Sequence, residues 1–214
     1  MSATSTRLLL VSHAATAAMR SGQFPGDATR DAVDLGRADD SAAVAALRER
    51  LPRTGAISVR CAPAACARDT AAALDLAPLL RIDAALADMD YGRWQGRRLD
   101  DFGDDESDQL LQWSRDPHAA PHGGETFDAV LARVGAWLNG LHAGDAANAA
   151  NAANAGRGRT LIAVTHAPVV RAALMHVLKA PPASFALIEV APLSVVELRR
   201  APGAHAWHWW TGQA

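Results

Sequence analysis

The chain has little cysteine: Cys61 and Cys66 are the two it contains in 214 residues. They lie five apart across a predicted strand-to-helix turn, which indicates no disulfide framework and reads as two small buried hydrophobes. It also has little net charge. A formal value of −2 gives no electrostatic basis for binding nucleic acid or an anionic membrane surface. No run approaches the ~20 apolar residues that a membrane span requires. The opening Met-Ser-Ala-Thr-Ser-Thr-Arg passes within a few residues into a strand-like run, unlike a secretory signal peptide, so a cytoplasmic location is expected. What is plentiful is apolar surface. Half the residues are hydrophobic, enough for a full core, and a chain of this length is expected to form one α/β domain over 1–214.

Strand and helix patterns alternate. Strands are predicted near 7–12, 57–61 and 160–165, and helices near 40–51, 64–76, 124–143 and 167–178. Three further strands are predicted at 186–190, 194–198 and 206–210, the last Trp-rich and suited to covering a sheet edge. Such alternation implies a three-layer α/β fold, a mostly parallel sheet with helices on both faces. Residues 95–123 are polar and broken by Gly103, Pro117, Pro121 and Gly123, and their acidic run from Asp100 to Asp108 reads as a solvated face. The Ala-Asn repeat beginning at Ala146 and closing by Gly158 keeps no helical face, and 146–158 reads as a flexible low-complexity insertion without chemistry.

Two segments carry the chemistry. Leu8-Leu-Leu-Val-Ser-His13 is a buried-strand pattern that ends at a histidine, and Thr160-Leu-Ile-Ala-Val-Thr-His166 repeats the arrangement. Ligands of open α/β sheets collect in the crevice beyond the carboxyl ends of the strands, so two strand-end histidines suggest a paired site.

The motifs around these histidines resemble those of the histidine phosphatase superfamily, the phosphoglycerate-mutase-like proteins. The family's Arg-His-Gly appears as Ser12-His13-Ala14, followed by Thr16; its Ser-Pro-x-x-Arg-Ala-x-x-Thr-Ala appears as Ala62-Pro63-Ala64-Ala65-Cys66-Ala67-Arg68-Asp69-Thr70-Ala71. Its acid-bearing segment matches Leu86 to Gly96 with Asp88 in place of Glu, its Gly-Gly-Glu-Ser/Thr matches Gly123-Gly124-Glu125-Thr126, and its Ser-His-Gly-Gly is Thr165-His166-Ala167-Pro168. The resemblance implies a phosphoglycerate-mutase-like fold with 95–123 as a cap insertion over the site. It also implies His13 as the nucleophile that becomes a phosphohistidine, His166 as the group stabilising the transferring phosphoryl, and Asp88, or its neighbour Asp90 in a shifted register, as the acid for the leaving oxygen. Ser12, Thr16, Cys66, Glu125 and Ala167 are then the substrate-contacting positions, and no cofactor is expected.

The departures matter as much as the matches. The two arginines of the family's phosphate pocket are here Ser12 and Cys66. Arg68 lies about 200° further round a predicted helix and is poorly placed to substitute; Arg7, Arg20 and Arg93 are candidate replacement cations. Hydrogen bonds to charged groups contribute roughly 1.5–3 kcal/mol each, so losing both arginines implies a deficit of about 10²–10⁴ in rate or affinity. The leading reading is therefore a degenerate histidine-phosphatase-like protein with weak or no phosphatase activity that binds a small molecule or a protein. The alternative is an active phosphomonoesterase acting on a small phosphorylated metabolite. A third reading notes that His13, His166, Cys66 and Asp88 would place N, N, S and O donors around one cavity, a set that suits Zn²⁺, although their spacing carries no recognised zinc signature.

Overall fold

A computed structural model of the chain describes residues 5–26, 31–141 and 158–211. Apart from Gly158, the insertion expected at 146–158 lies outside the described residues. Six strands form one sheet in the order β3-β2-β4-β1-β5-β6: β1 Thr6–Ser12, β2 Ala56–Cys61, β3 Leu80–Ile82, β4 Arg159–Thr165, β5 Val195–Arg200 and β6 His208–Trp210. The first four in that order run parallel, and β5 and β6 add an antiparallel edge. Every residue of Leu8–Ser12 and Leu161–Thr165 is buried. Because successive side chains in a strand point to opposite faces, both faces of the central pair must be covered, which is why these strands read as unbroken apolar runs.

The helices are α1 Ala17–Arg20, α2 Ala38–Arg50, α3 Ala65–Ala73, α4 Asp104–Arg115, α5 Phe127–Gly140 and α6 Ala167–Leu178. Among the described residues, none is long and apolar enough to cross a membrane. Leu8, Leu10, Val59, Ile162, Val134, Leu138, Val170 and Met175 share the core that joins the sheet to α5 and α6.

Three expectations need correction. No strand forms at 186–190: residues Pro182–Leu187 make a 3-10 turn, and Leu187 is 83 % exposed. Pro181 and Pro182 fix the backbone there, and the place beside β1 is taken by β5, which leaves this segment no strand to pair with. Within 95–123 the helix α4 was not expected, because Asp104, Asp105 and Glu106 obscure its apolar period. These acids occupy its first turn, where they complement the helix dipole. Its Trp113 joins Phe24, Tyr91, Trp94 and His122 in an aromatic cluster. The acidic face itself is solvated as expected, with Glu106 turned onto Arg97. The short β3 also went unseen, since three residues beside Pro78, two of them exposed, leave no pattern to read. The Trp-rich end does form the edge strand β6, where Trp210 stacks under Arg199 and the preceding Trp207 packs against Arg200.

Candidate active site

The central pair of strands sets the site. Parallel register aligns Ser12 with Thr165, so the next residue on each strand is a histidine, and His13 N–H donates to the Thr165 carbonyl at 2.9 Å. Chain connections diverge here: from β1 the chain crosses beyond β4 to β2, whereas from β4 it returns to the other side of β1 as β5. A crevice opens at such a switch point. Across it the rings of His13 and His166 meet edge to face with centroids 5.0 Å apart.

The two rings are held differently. His13 Nδ1 lies 2.7 Å from the Ala14 carbonyl, which can only accept, so the proton sits on Nδ1 and Nε2 carries a free lone pair. Burial and the neighbouring His166 push the His13 pKa down, which keeps the ring neutral. Ala14 is itself anchored: its N–H donates to Thr70 Oγ1 at 2.9 Å, and that hydroxyl donates to the Cys66 carbonyl on α3 at 2.7 Å. His166 is 2 % exposed and its two ring nitrogens have no hydrogen-bond partner among the described residues. Asp88 Oδ2 lies 3.4 Å from its Nδ1. Burial, with the Arg133 cation adding to it, lowers the His166 pKa to about 4.

Asp88 reaches the pocket because several ties fix its segment. Thr165 Oγ1 donates to the Leu86 carbonyl at 2.7 Å, and Arg133 on α5 donates to the carbonyls of Ala85 and Ala87 at 2.8 and 3.0 Å. Gly92 and Gly124 pack backbone against backbone. A Cβ on Gly92 would fall 2.2 Å from the His122 carbonyl oxygen, and one on Gly124 would fall 2.1 Å from that of Asp90. This close approach is the physical reason for glycine in both motifs, and it lets Glu125 N–H donate to the Asp90 carbonyl. The Asp88 side chain is 18 % exposed, and burial raises its pKa to about 6 despite a hydrogen bond from Met89 N–H. A carboxyl at that value is partly protonated near neutrality, as a general acid requires.

The other expected contacts divide. Cys66, in the first turn of α3, places Sγ within 4.8 Å of a ring nitrogen of each histidine. Ser12 is buried at the end of β1 beside His13. Ala167 begins α6, where Pro168 carries no N–H and Val169 N–H donates to the His166 carbonyl at 3.1 Å. Thr16 serves as the N-cap of α1, accepting from Met19 N–H. Glu125 is engaged by Arg133 in a two-pronged pair at 2.9 and 3.1 Å.

The candidate replacement cations point away. Arg7 pairs with Glu197, Arg20 with Asp34 and Asp40, and Arg93 with Gln109 and the Pro121 carbonyl, while Arg68 is exposed. Two contributors were missed from sequence. Arg133 clamps the Asp88 segment through partners 45 or more residues away, which no local spacing reveals. Asp31 lends its negative charge to the surroundings of His13 and Cys66.

Comparison with known proteins gives a consistent result. The profile of the histidine phosphatase superfamily (branch 1) matches residues 8–212. A bifunctional protein of Mycobacterium tuberculosis is 32 % identical over 133 residues, which is 61 % of this chain and 36 % of that protein. The chain thus spans about a third of the length of the curated relatives it matches. Among solved structures, a mycobacterial glucosyl-3-phosphoglycerate phosphatase superposes with a TM-score of 0.76 at 25 % identity, covering 98 % of this chain and 99 % of that one. A mycobacterial hydrolase gives 0.75 at 26 % identity over 98 % and 99 %. The alpha-ribazole phosphatase of Shigella flexneri shares the fold, with 0.75 at 20 % identity over 97 % and 96 %.

Proposed function

The chain belongs to the histidine phosphatase superfamily, and from that premise we propose that it is a degenerate phosphomonoesterase that binds a small, cytoplasmic phosphorylated molecule and hydrolyses it slowly. In this reading His13 Nε2 attacks phosphorus while the ester P–O bond breaks, and Asp88 gives its proton to the departing oxygen. Water then attacks phosphorus while the Asp88 carboxylate takes a proton from it, and the N–P bond breaks to release phosphate and regenerate neutral His13 and protonated Asp88. His166 faces the transferring group with its one ring N–H.

One observation carries the proposal: nucleophile and acid are arranged for the reaction, but the anion cradle lacks its cations. His13 is held neutral with Nε2 free and Asp88 sits at about 6, while the family's arginine positions are Ser12 and Cys66. Phosphoryl transfer depends chiefly on positioning and on neutralising the equatorial oxygens. A serine hydroxyl and a buried thiol supply no charge, so the deficit of about 10²–10⁴ applies to turnover rather than to the chemistry available. The glucosyl-3-phosphoglycerate phosphatase among the solved relatives supports a small phosphomonoester as the substrate class.

The test is turnover of an aryl phosphate by the purified protein in the presence of a chelator, beside His13→Ala. We expect turnover about 10²–10⁴-fold below that of arginine-bearing relatives and its loss in His13→Ala. Activity at the level of those relatives would defeat the degenerate reading, and turnover that survives His13→Ala would defeat the assignment of the nucleophile.

A further inference from the structure

The replacement of a guanidinium by a thiol does more than delete a charge. Cys66 Sγ and one ring nitrogen each from His13 and His166 all lie within 4.8 Å of one another, and all three residues are buried. Tetrahedral zinc with bonds of about 2.0–2.3 Å holds its ligand atoms about 3.3–3.7 Å apart, which modest side-chain rotation reaches from here. We infer that Cys66, His13 and His166 form a zinc site, with Sγ and one nitrogen of each ring as ligands and the fourth position open to water or a phosphoryl oxygen.

The second observation is His166 itself. A buried imidazole whose two nitrogens find no partner among the described residues lacks the hydrogen bonds that such groups almost always make. A metal at one nitrogen, with the Asp88 carboxylate 3.4 Å from Nδ1 taking up the other as an N–H, would satisfy both. His13 already has the arrangement usual for a metal-bound histidine, since Nδ1–H is held by the Ala14 carbonyl and Nε2 is left as the donor.

Electrostatics favours a cation over an anion at this point. The carboxylates of Asp88 and Asp31 both act on His13 and Cys66. Arg133, whose charge acts on His166, is occupied by Glu125 and by backbone carbonyls. The Cys66 thiol is buried beside both rings. Zinc binding forms the Zn–S bond as the thiol proton leaves to solvent, and the two neutral imidazoles need release none. The site shares its cavity with the proposed phosphatase but does not depend on turnover, and because zinc takes the His13 lone pair it should inhibit His13-dependent hydrolysis.

The test uses the full chain, free of affinity tags. Zinc at about a hundredfold excess over Kd should raise the melting temperature by about 5–10 °C. Cobalt(II) in its place should give a thiolate-to-metal charge-transfer band with the d–d absorption of a tetrahedral site. Cys66→Ser should abolish the band and most of the shift, and Cys61→Ser should keep both. Absence of the cobalt band in the unsubstituted protein overturns the site, whatever Cys66→Ser does to folding. So does a melting temperature indifferent to zinc, or a thiolate band that persists in Cys66→Ser. The phosphatase reading is judged separately, by His13→Ala in chelator, so either can fail while the other stands.

Discussion

His13 and His166 stand at equivalent places, one residue past the paired ends of β1 and β4, yet they are built differently. His13 is fixed through Ala14, Thr70 and the Cys66 carbonyl, a chain of three hydrogen bonds that selects its tautomer and aims its lone pair. The His166 ring is held by packing, with no hydrogen-bond partner for either nitrogen among the described residues and a carboxylate oxygen 3.4 Å from Nδ1 that makes no hydrogen bond to it. One half of the pocket is complete without a ligand and the other half is not. In this superfamily's pattern the absent partner would be a phosphoryl group gathered by two arginines, and here those positions are Ser12 and Cys66. On the proposed reading the empty anion cradle is what weakens phosphate binding, and it is the part of the pocket to repair first.

Ser12→Arg with Cys66→Arg is the repair with the largest expected effect. Restoring two charged donors should raise aryl phosphate turnover by about 10²–10⁴-fold, with the gain in kcat/KM and in vanadate affinity together. Each single substitution should recover only part. No gain in the double variant, with folding verified by its melting curve, would mean that the pocket is closed to phosphate for some other reason, and the contrast between the two histidines would lose its functional meaning.

Asp88 links the two halves, and its stability effect comes next. Burial raises its pKa from 3.8 to about 6, a displacement of about 3 kcal/mol at 1.36 kcal/mol per pH unit. The folded state therefore binds the proton more tightly than the unfolded chain. That contribution is complete below about pH 4 and is lost as the pH rises through 6. Asp88→Asn, which cannot ionise, should melt several degrees above the unsubstituted protein at pH 7.5, and the gap should close toward pH 4. The same substitution should remove the falling limb of the pH–rate profile near 6 while lowering turnover. A melting difference independent of pH would show that Asp88 is not held in its neutral form.

The sequence made the central pair legible because β1 and β4 are buried on both faces, so each reads as a continuous apolar run ending abruptly at a histidine. It made Asp88 and Glu125 legible because the glycines around them are forced by backbone contact, a local requirement that survives in the sequence. What it hid was non-local or masked. Arg133 reaches carbonyls on another segment, α4 conceals its apolar side behind three acids at its start, and 186–190 has strand-like composition but no free strand to pair with. Glu125 and Thr16 were legible as positions, and the fold adds that Arg133 holds the first and that the second caps α1.

The smallest expected effect tests the complete half. Thr70 is fully buried, and its hydroxyl is the hinge between α3 and the His13 loop, accepting from Ala14 N–H and donating to the Cys66 carbonyl. Thr70→Val keeps the shape but leaves the Ala14 N–H buried without a partner, a cost of about 1–3 kcal/mol. For a chain of this size that is a fall in melting temperature of roughly 2–10 °C. Thr70→Ser restores the hydroxyl and should recover most of the loss. If His13 is held by this chain rather than by packing, Thr70→Val should also let Nδ1–H drift from the Ala14 carbonyl. The imidazole would then populate both neutral tautomers, visible in its ring nitrogen resonances, and His13-dependent turnover should fall further than the stability loss accounts for. A variant that is destabilised but keeps a single His13 tautomer would show that packing holds both histidines alike, and that the two halves differ only in what their second nitrogens meet.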